Sequence, residues 1–118
     1  MAGWLGDLEY AVALALLRLD DTAYGVSIRD ELLGRADRSV SLGAIYTTLE
    51  RLERKGLVAS RQSEPTAVRG GRRRRICRLT PAGERAVAAT WDAQRRLTDG
   101  LEADLADFRD RPIGVADA

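Results

Sequence analysis

Apolar residues recur at helical spacing along most of this chain, with a single central stretch that alternates instead. Residues 8–19 are dense in Leu, Ala and Val with no breaker, which predicts a largely buried helix. Asp20-Asp21-Thr22 interrupts the run. Thr22 suits an N-cap, so a second helix is expected over residues 23–33, burying Val26, Ile28 and Leu32 or Leu33, with Gly34 as its stop. The polar residues 35–39 read as a loop. Ser41 is the next N-cap, and Gly56 is a C′ stop after Lys55. Between them Leu42, Ile45, Leu49 and Leu52 fall at i, i+3, i+7 and i+10, one apolar stripe. At about 100° per residue the opposite face carries Gly43, Ala44, Thr47, Arg51 and Arg54.

After Gly56 the period changes. Residues 57–63 read as a short strand, and residues 64–71, with Pro65, Gly70 and Gly71, as a loop longer than a tight turn. Arg74, Ile76 and Arg78 then alternate with Arg75, Cys77 and Leu79, a returning strand with Cys77 and Leu79 facing inward. Thr80-Pro81 supplies an N-cap and a proline at N1, opening a long last helix expected to reach Phe108. Positions 87, 91, 94, 98, 101, 105 and 108 alternate steps of four and three, a coiled-coil-like seam. Val87, Trp91, Leu101, Leu105 and Phe108 are its apolar members, Gln94 and Thr98 its polar ones, and Leu97 widens it. Such a helix cannot fold alone, so it must pack on the first helix or on a second subunit. Residues 109–118 have no pattern and are expected to form a loose tail.

Composition adds exclusions. With 118 residues, 45% hydrophobic and 31% charged, the chain suits one globular domain. It has no His, which removes imidazole catalysis and His-ligated metal sites. No Gly-rich phosphate loop precedes a helix, and the acids are scattered, so neither an enzyme nor a metal or cofactor site is expected. The lone Cys77 allows no internal disulfide and reads as a small buried hydrophobe. No apolar run can span a bilayer, and no basic run precedes the first apolar segment, so the cytoplasm is the expected compartment.

Charge changes the picture more. The net charge is only +1, but between Glu50 and Arg78 ten basic residues face three acids, which makes that segment +7 and the remainder −6. Four consecutive arginines, Arg72 to Arg75, repel one another, so such a surface points to a polyanionic partner. Glu50 and Glu53 are expected to temper the basic helix, or to pair with Arg54.

Helix, helix, helix, basic hairpin, long helix is the order of a winged helix-turn-helix module. The fold class expected is mainly α with a two-stranded β-wing. Residues 1–79 would form the DNA-binding domain, 80–108 a C-terminal dimerisation helix and 109–118 the tail. Specific residues go further. Tyr24-Gly25 opens the second helix, the segment from Ser41 to Val58 forms the third helix and its exit, and Gly70-Gly71-Arg72-Arg73-Arg74-Arg75 precedes Arg78-Leu79-Thr80-Pro81-Ala82-Gly83. In these features the chain resembles the PadR family of bacterial transcriptional regulators, over about residues 8–105, and the shorter subgroup with a single C-terminal helix. It departs in two places: that family has two tyrosines in the second wing strand where this chain has Ile76 and Cys77, and commonly a proline where this chain has Thr47.

The resemblance implies a homodimer built from the first and last helices, with Leu8, Val12, Val87, Trp91, Leu101, Leu105 and Phe108 as its contacts. Two recognition helices would then enter successive major grooves of double-stranded DNA at an inverted repeat. Gly43, Ala44 and Thr47 would lie nearest the bases, at the Ser41 end of the helix. Tyr46, Thr48 and Arg51 would hold phosphates or flank the groove, Tyr46 alternatively packing beside the apolar stripe. Arg72, Arg73, Arg74 and Arg75 would grip the backbone or reach the minor groove. Repression is the family's default. Some members of the similar subgroup bind planar aromatic compounds against a tryptophan of the last helix, a place that Trp91 matches here, although a Trp on an apolar stripe is more often simply core. The alternative function is a winged-helix module that binds a protein partner.

Overall fold

The computed structural model describes residues 4–64 and 73–114. Its elements run α1 (Asp7–Leu19), a 3-10 turn (Asp20–Thr22), α2 (Gly25–Ala36), α3 (Leu42–Arg54), β1 (Val58–Gln62), β2 (Arg75–Leu79), α4 (Pro81–Thr98) and α5 (Glu102–Asp110). The architecture is the mainly helical one expected, with a single antiparallel strand pair among the described residues. Val58 faces Leu79 and Gln62 faces Arg75 at the two ends of its ladder.

The core lies where α1, α2 and α3 meet the base of the strand pair. Val12, Ile28, Ile45 and Leu52 are fully buried there, and Leu16, Leu49, Val58 and Cys77 surround them. Burying a side chain of this size is worth about 1.5–3 kcal/mol, so the α3 stripe alone fixes that helix on the body. Both Ile76 and Cys77 are buried, so β2 is covered on both of its faces and not only on the Cys77 side. The Cys77 amide leaves the ladder and donates to the Ala23 carbonyl at 2.8 Å, tying the wing to the start of α2.

Helix ends follow local chemistry. The Ser41 hydroxyl accepts from the Ala44 amide, and the Thr80 hydroxyl accepts from the Gly83 amide, both at 3.1 Å. Gly56 leaves α3 at φ +76°, the left-handed conformation glycine adopts without strain. Two boundaries of α2 depart from expectation. The helix starts after Tyr24, whose amide donates to Ser27 Oγ at 2.9 Å, so Thr22 is not its cap. Gly34 lies inside it. The helix ends at Asp37, φ +51°, where the Asp37 and Arg38 amides return to the Leu33 and Leu32 carbonyls. Asp tolerates the left-handed region better than most residues.

The last helix is corrected more substantially. It is not continuous to Phe108: α4 stops at Thr98, Gly100 turns at φ +85°, and α5 begins at Glu102. Asp-Gly is a turn dipeptide, and its chemistry overrides a seam that reads smoothly across it. Residues 109 and 110 belong to α5 and not to a tail. α4 packs along α1 of its own chain, and its Thr90 hydroxyl accepts from the Leu5 amide at 2.9 Å. This packing buries Val87 within the protomer, and Val12 sits in the core. Neither is available to a second subunit, because each points into the face its helix uses at home. Leu8 is likewise partly buried against the core.

Glu9 is a buried acid with a structural task. It accepts from the Gly6 amide and from Lys55 Nζ, both at 2.8 Å, joining the start of α1 to the end of α3. Burial pushes its carboxyl up, but the bonds from Lys55 and Gly6, with the charges of Lys55 and Arg51, outweigh that and hold it below the ordinary 4.5. A carboxyl lowered in the folded state contributes stability above its ordinary value, lost as pH falls through the folded value. Glu9→Gln is therefore expected to cost about 1–2 kcal/mol at pH 7 and much less near pH 3. Urea melts of both proteins at the two pH values test this, and an equal loss at both would refute the ionic contribution.

Candidate nucleic-acid interface

Two elements place basic and small side chains outside the core: the outer face of α3 and the strand pair beside it. On α3, Ser41, Gly43, Tyr46, Thr47, Arg51 and Arg54 are exposed, and Ala44 is half-buried. Small side chains occupy the first turn, and cations the last two. Thr48 does not belong to this face. It is only 3% exposed, and its hydroxyl donates to the Ala44 carbonyl at 2.7 Å, so it has no proton left to donate to a phosphate. The Ser41 oxygen is committed to the cap, although its side chain is exposed.

Tyr46 takes an intermediate place. It is 48% exposed, yet its ring lies flush against Gly25. A Cβ at Gly25 would come within 2.6 Å of the Tyr46 ring and hydroxyl. The Tyr24-Gly25 pair thus opens α2 and also makes room for the side chain that crosses from α3. Gly25→Ala is expected to displace Tyr46 and cost about 1–3 kcal/mol. Thermal melts beside Tyr46→Ala check it. If the steric account holds, adding Gly25→Ala to the Tyr46→Ala protein costs little more.

The wing arginines have distinct roles. Arg72 lies outside the described residues. Arg73 is exposed, with no ion-pair partner among the described residues. Arg74 stacks over the Tyr24 ring, 4.4 Å from its centroid. Arg75 turns back to the body: it pairs with Glu53, and its Nε donates to Ser60 Oγ at 2.9 Å. Ser60 in turn donates to Glu53 Oε1 at 2.8 Å. Glu53 therefore pairs with the wing and not with Arg54, and Arg75 is half consumed in fixing the hairpin to α3. Arg51 and Arg54 on α3 and Arg73 on the hairpin are exposed and can meet phosphates, whereas Arg61 and Arg78, in register with Ile76 and Ala59, lie on the opposite face of the hairpin from Arg75. Cys77 is a buried free thiol. Burial pushes its thiol up, Arg75 pulls it part of the way back, and Glu53 adds a smaller push upward.

The sequence did not single out Tyr24 as a partner for Arg74, nor Ser60 as the link between Glu53 and Arg75. Both bonds cross between elements distant in the chain, and no local spacing encodes them. No group of acids, Cys or His able to hold a metal occurs among the described residues, and none of their helices is long and apolar enough to cross a membrane.

Known proteins share this arrangement. Residues 13–89 match the Transcriptional regulator PadR-like family. The chain belongs to the PadR-like family. Over 89 residues it is 42% identical to Transcriptional regulator Rv3488 of Mycobacterium tuberculosis, covering 74% of this chain and 78% of that protein. Among solved structures, a PadR family transcription regulator from Clostridium difficile is similar, with a TM-score of 0.70 and 25% identity over 85% of this chain and 99% of its own. Bacillus subtilis PadR, solved in complex with operator DNA, shares the fold at a TM-score of 0.52 and 18% identity, over 94% of this chain and 52% of its own. In this PadR-like chain, Ile76 and Cys77 are both buried at the base of the wing.

Proposed function

We propose that this PadR-like regulator binds double-stranded DNA sequence-specifically, as a homodimer on an inverted-repeat operator, and represses transcription there. One observation carries the reading: the exposed face of α3 is small at its first turn and basic at its end, with an arginine-bearing hairpin bonded to that end through Glu53. A small first turn allows close approach to base edges, and the cations meet phosphates on either side. Gly43, Ala44 and Thr47 form the reading face. Arg51, Arg73 and Arg74 are the phosphate contacts, and Tyr46 flanks them. The solved complex of Bacillus subtilis PadR with operator DNA supports this by analogy of fold.

The test is fluorescence anisotropy on DNA from the protein's own upstream region beside a scrambled control, at low and near-physiological salt. Specific binding should exceed the control by about a thousandfold. No binding at low salt would overturn the reading and favour a protein partner for the wing. Thr47→Ala is expected to shift sequence preference by about 1 kcal/mol while leaving affinity for random DNA unchanged. Equal losses on both DNAs would remove Thr47 from the reading face.

A planar aromatic effector stacking on Trp91 is part of the proposal. The Trp91 side chain is 51% exposed, with the Arg95 guanidinium 4.6 Å from its ring centroid, so an aromatic face is open to solvent. Planar dyes should quench tryptophan emission and raise the melting temperature. Unchanged emission and melting would end the effector reading.

A further inference from the structure

The strand pair turns one face to α3 and the other away from it. Ser60 and Cys77 stand opposite each other in the ladder and point to the body, Ser60 bonded to Glu53 and Cys77 set in the core. Side chains alternate along a strand, so Ala59, Arg61, Ile76 and Arg78 point the other way. The Ser63 amide donates to the Arg74 carbonyl at 2.7 Å, which carries the pairing one step past β2 and puts Arg74 on this outer face as well. Arg61 stands directly opposite Ile76, and Arg74 and Arg78 lie two residues to either side of Ile76. Ile76 is buried, and the three arginines around it are exposed.

This outer face carries no acid, and Arg61, Arg74 and Arg78 have no ion-pair partner among the described residues. Arg75, on the inner face, is by contrast paired with Glu53. Three unpaired guanidinium groups on one surface repel one another until an anion lies across them. Arg74 stands at the tip end of the row, supported by the Tyr24 ring, and is already a proposed phosphate contact. Arg61 and Arg78 continue the row toward the base of the hairpin, and residues 74 to 78 cover about 13 Å of strand. Each strand of duplex DNA carries one charge per ~3.4 Å of axis, so a row of this length matches about four phosphates. α3 lies on the other side of the hairpin, so the duplex that α3 reads can meet the whole row only beyond its half-site. We propose that the outer face of the hairpin binds the phosphate backbone of the DNA flanking each half-site, and that the flank bends toward the hairpin to reach it. The proposal rests on the operator-binding reading above and gives a task to Arg61 and Arg78, which that reading leaves idle. Because bending costs less at flexible pyrimidine–purine steps, the flank sequence then contributes to recognition without any base contact.

Duplexes selected from random DNA by the wild-type protein supply the probe, at two lengths: the selected repeat alone, and the repeat with about one helical turn, ~10 base pairs, added at each end. Wild type should bind the longer duplex about tenfold more tightly at moderate salt. Arg61→Ala combined with Arg78→Ala should abolish this gain while leaving affinity for the short duplex and circular dichroism unchanged. On the longer duplex the slope of log affinity against log salt should fall by about 1.8 for each protomer, two phosphates lost. Arg61→Lys with Arg78→Lys should keep the gain, since lysine also meets a phosphate as a point charge. Energy transfer between dyes on the two ends of the longer duplex should rise in the wild-type complex and not with the double alanine variant. Equal losses on both lengths would place these arginines on the half-site itself and overturn the flank assignment. Unchanged affinity on both lengths would overturn any DNA role for this face and favour an acidic protein partner. A wild type that gains nothing from the added ends would overturn the proposal while leaving the operator reading standing. A selection that enriches no sequence would overturn the operator reading, and the proposal with it.

Discussion

Gly83→Ala is expected to destabilise the protein by about 3 kcal/mol, a fall in melting temperature on the order of 10 °C. A Cβ there would stand 2.0 Å from the Leu57 carbonyl oxygen and 3.2 Å from the Leu79 side chain. The obstacle is backbone, so no rotamer change relieves it. That carbonyl already accepts from the Thr80 amide at 3.0 Å, and the Thr80 hydroxyl donates to the neighbouring Gly56 carbonyl at 2.7 Å. The start of α4 is thereby latched onto the exit of α3, and forcing the two apart breaks both bonds. Gly34→Ala is the control with opposite sign. Gly34 sits inside α2 at ordinary helical geometry, with nothing within 4 Å of an added Cβ. Alanine there should stabilise by about 0.5–1 kcal/mol, since it loses less backbone freedom on folding. Denaturant melts of the two variants decide the matter. A neutral Gly83→Ala would show that α4 can shift without cost.

Arg73→Ala combined with Arg74→Ala should weaken binding to operator and to random DNA alike, by about 10- to 100-fold at moderate salt. The slope of log affinity against log salt should fall by about 1.8, the contribution of two phosphates. Arg75→Ala is a different perturbation, because that side chain is bonded to Glu53 and Ser60. Its loss should lower wing stability and reduce operator affinity while changing the slope by less than one full contact. Anisotropy titrations at four salt concentrations separate the cases. Identical slopes for the Arg73–Arg74 double variant and the wild type would show that these arginines do not meet phosphates.

The order of elements was readable because each had a local signature. The i, i+3, i+7 stripe of α3, the Ser41 and Thr80 caps and the alternation around Cys77 are all set by nearest neighbours. What escaped depended on competition between signals or on distance. The Asp99-Gly100 turn was visible as a dipeptide, but the regular seam from Val87 to Phe108 ran across it and carried the reading. Val12 looked like an interface residue because an apolar helix does not say which side faces its own core. Thr48 sits next to the reading face in sequence, yet one residue is about 100° of rotation, enough to bury it. The basic patch could be counted from the sequence, but which arginine was spent on Glu53 and which was left over could not.

The bond from the Cys77 amide to the Ala23 carbonyl has a further consequence. A two-stranded ribbon has two open edges, each a template on which another chain could add a strand. Here the inner edge of β2 is partly occupied by Ala23, and the outer edge of β1 is only five residues long and carries Arg61. Short, charged edges resist strand addition. Growth of the sheet by strand addition is therefore disfavoured on both sides.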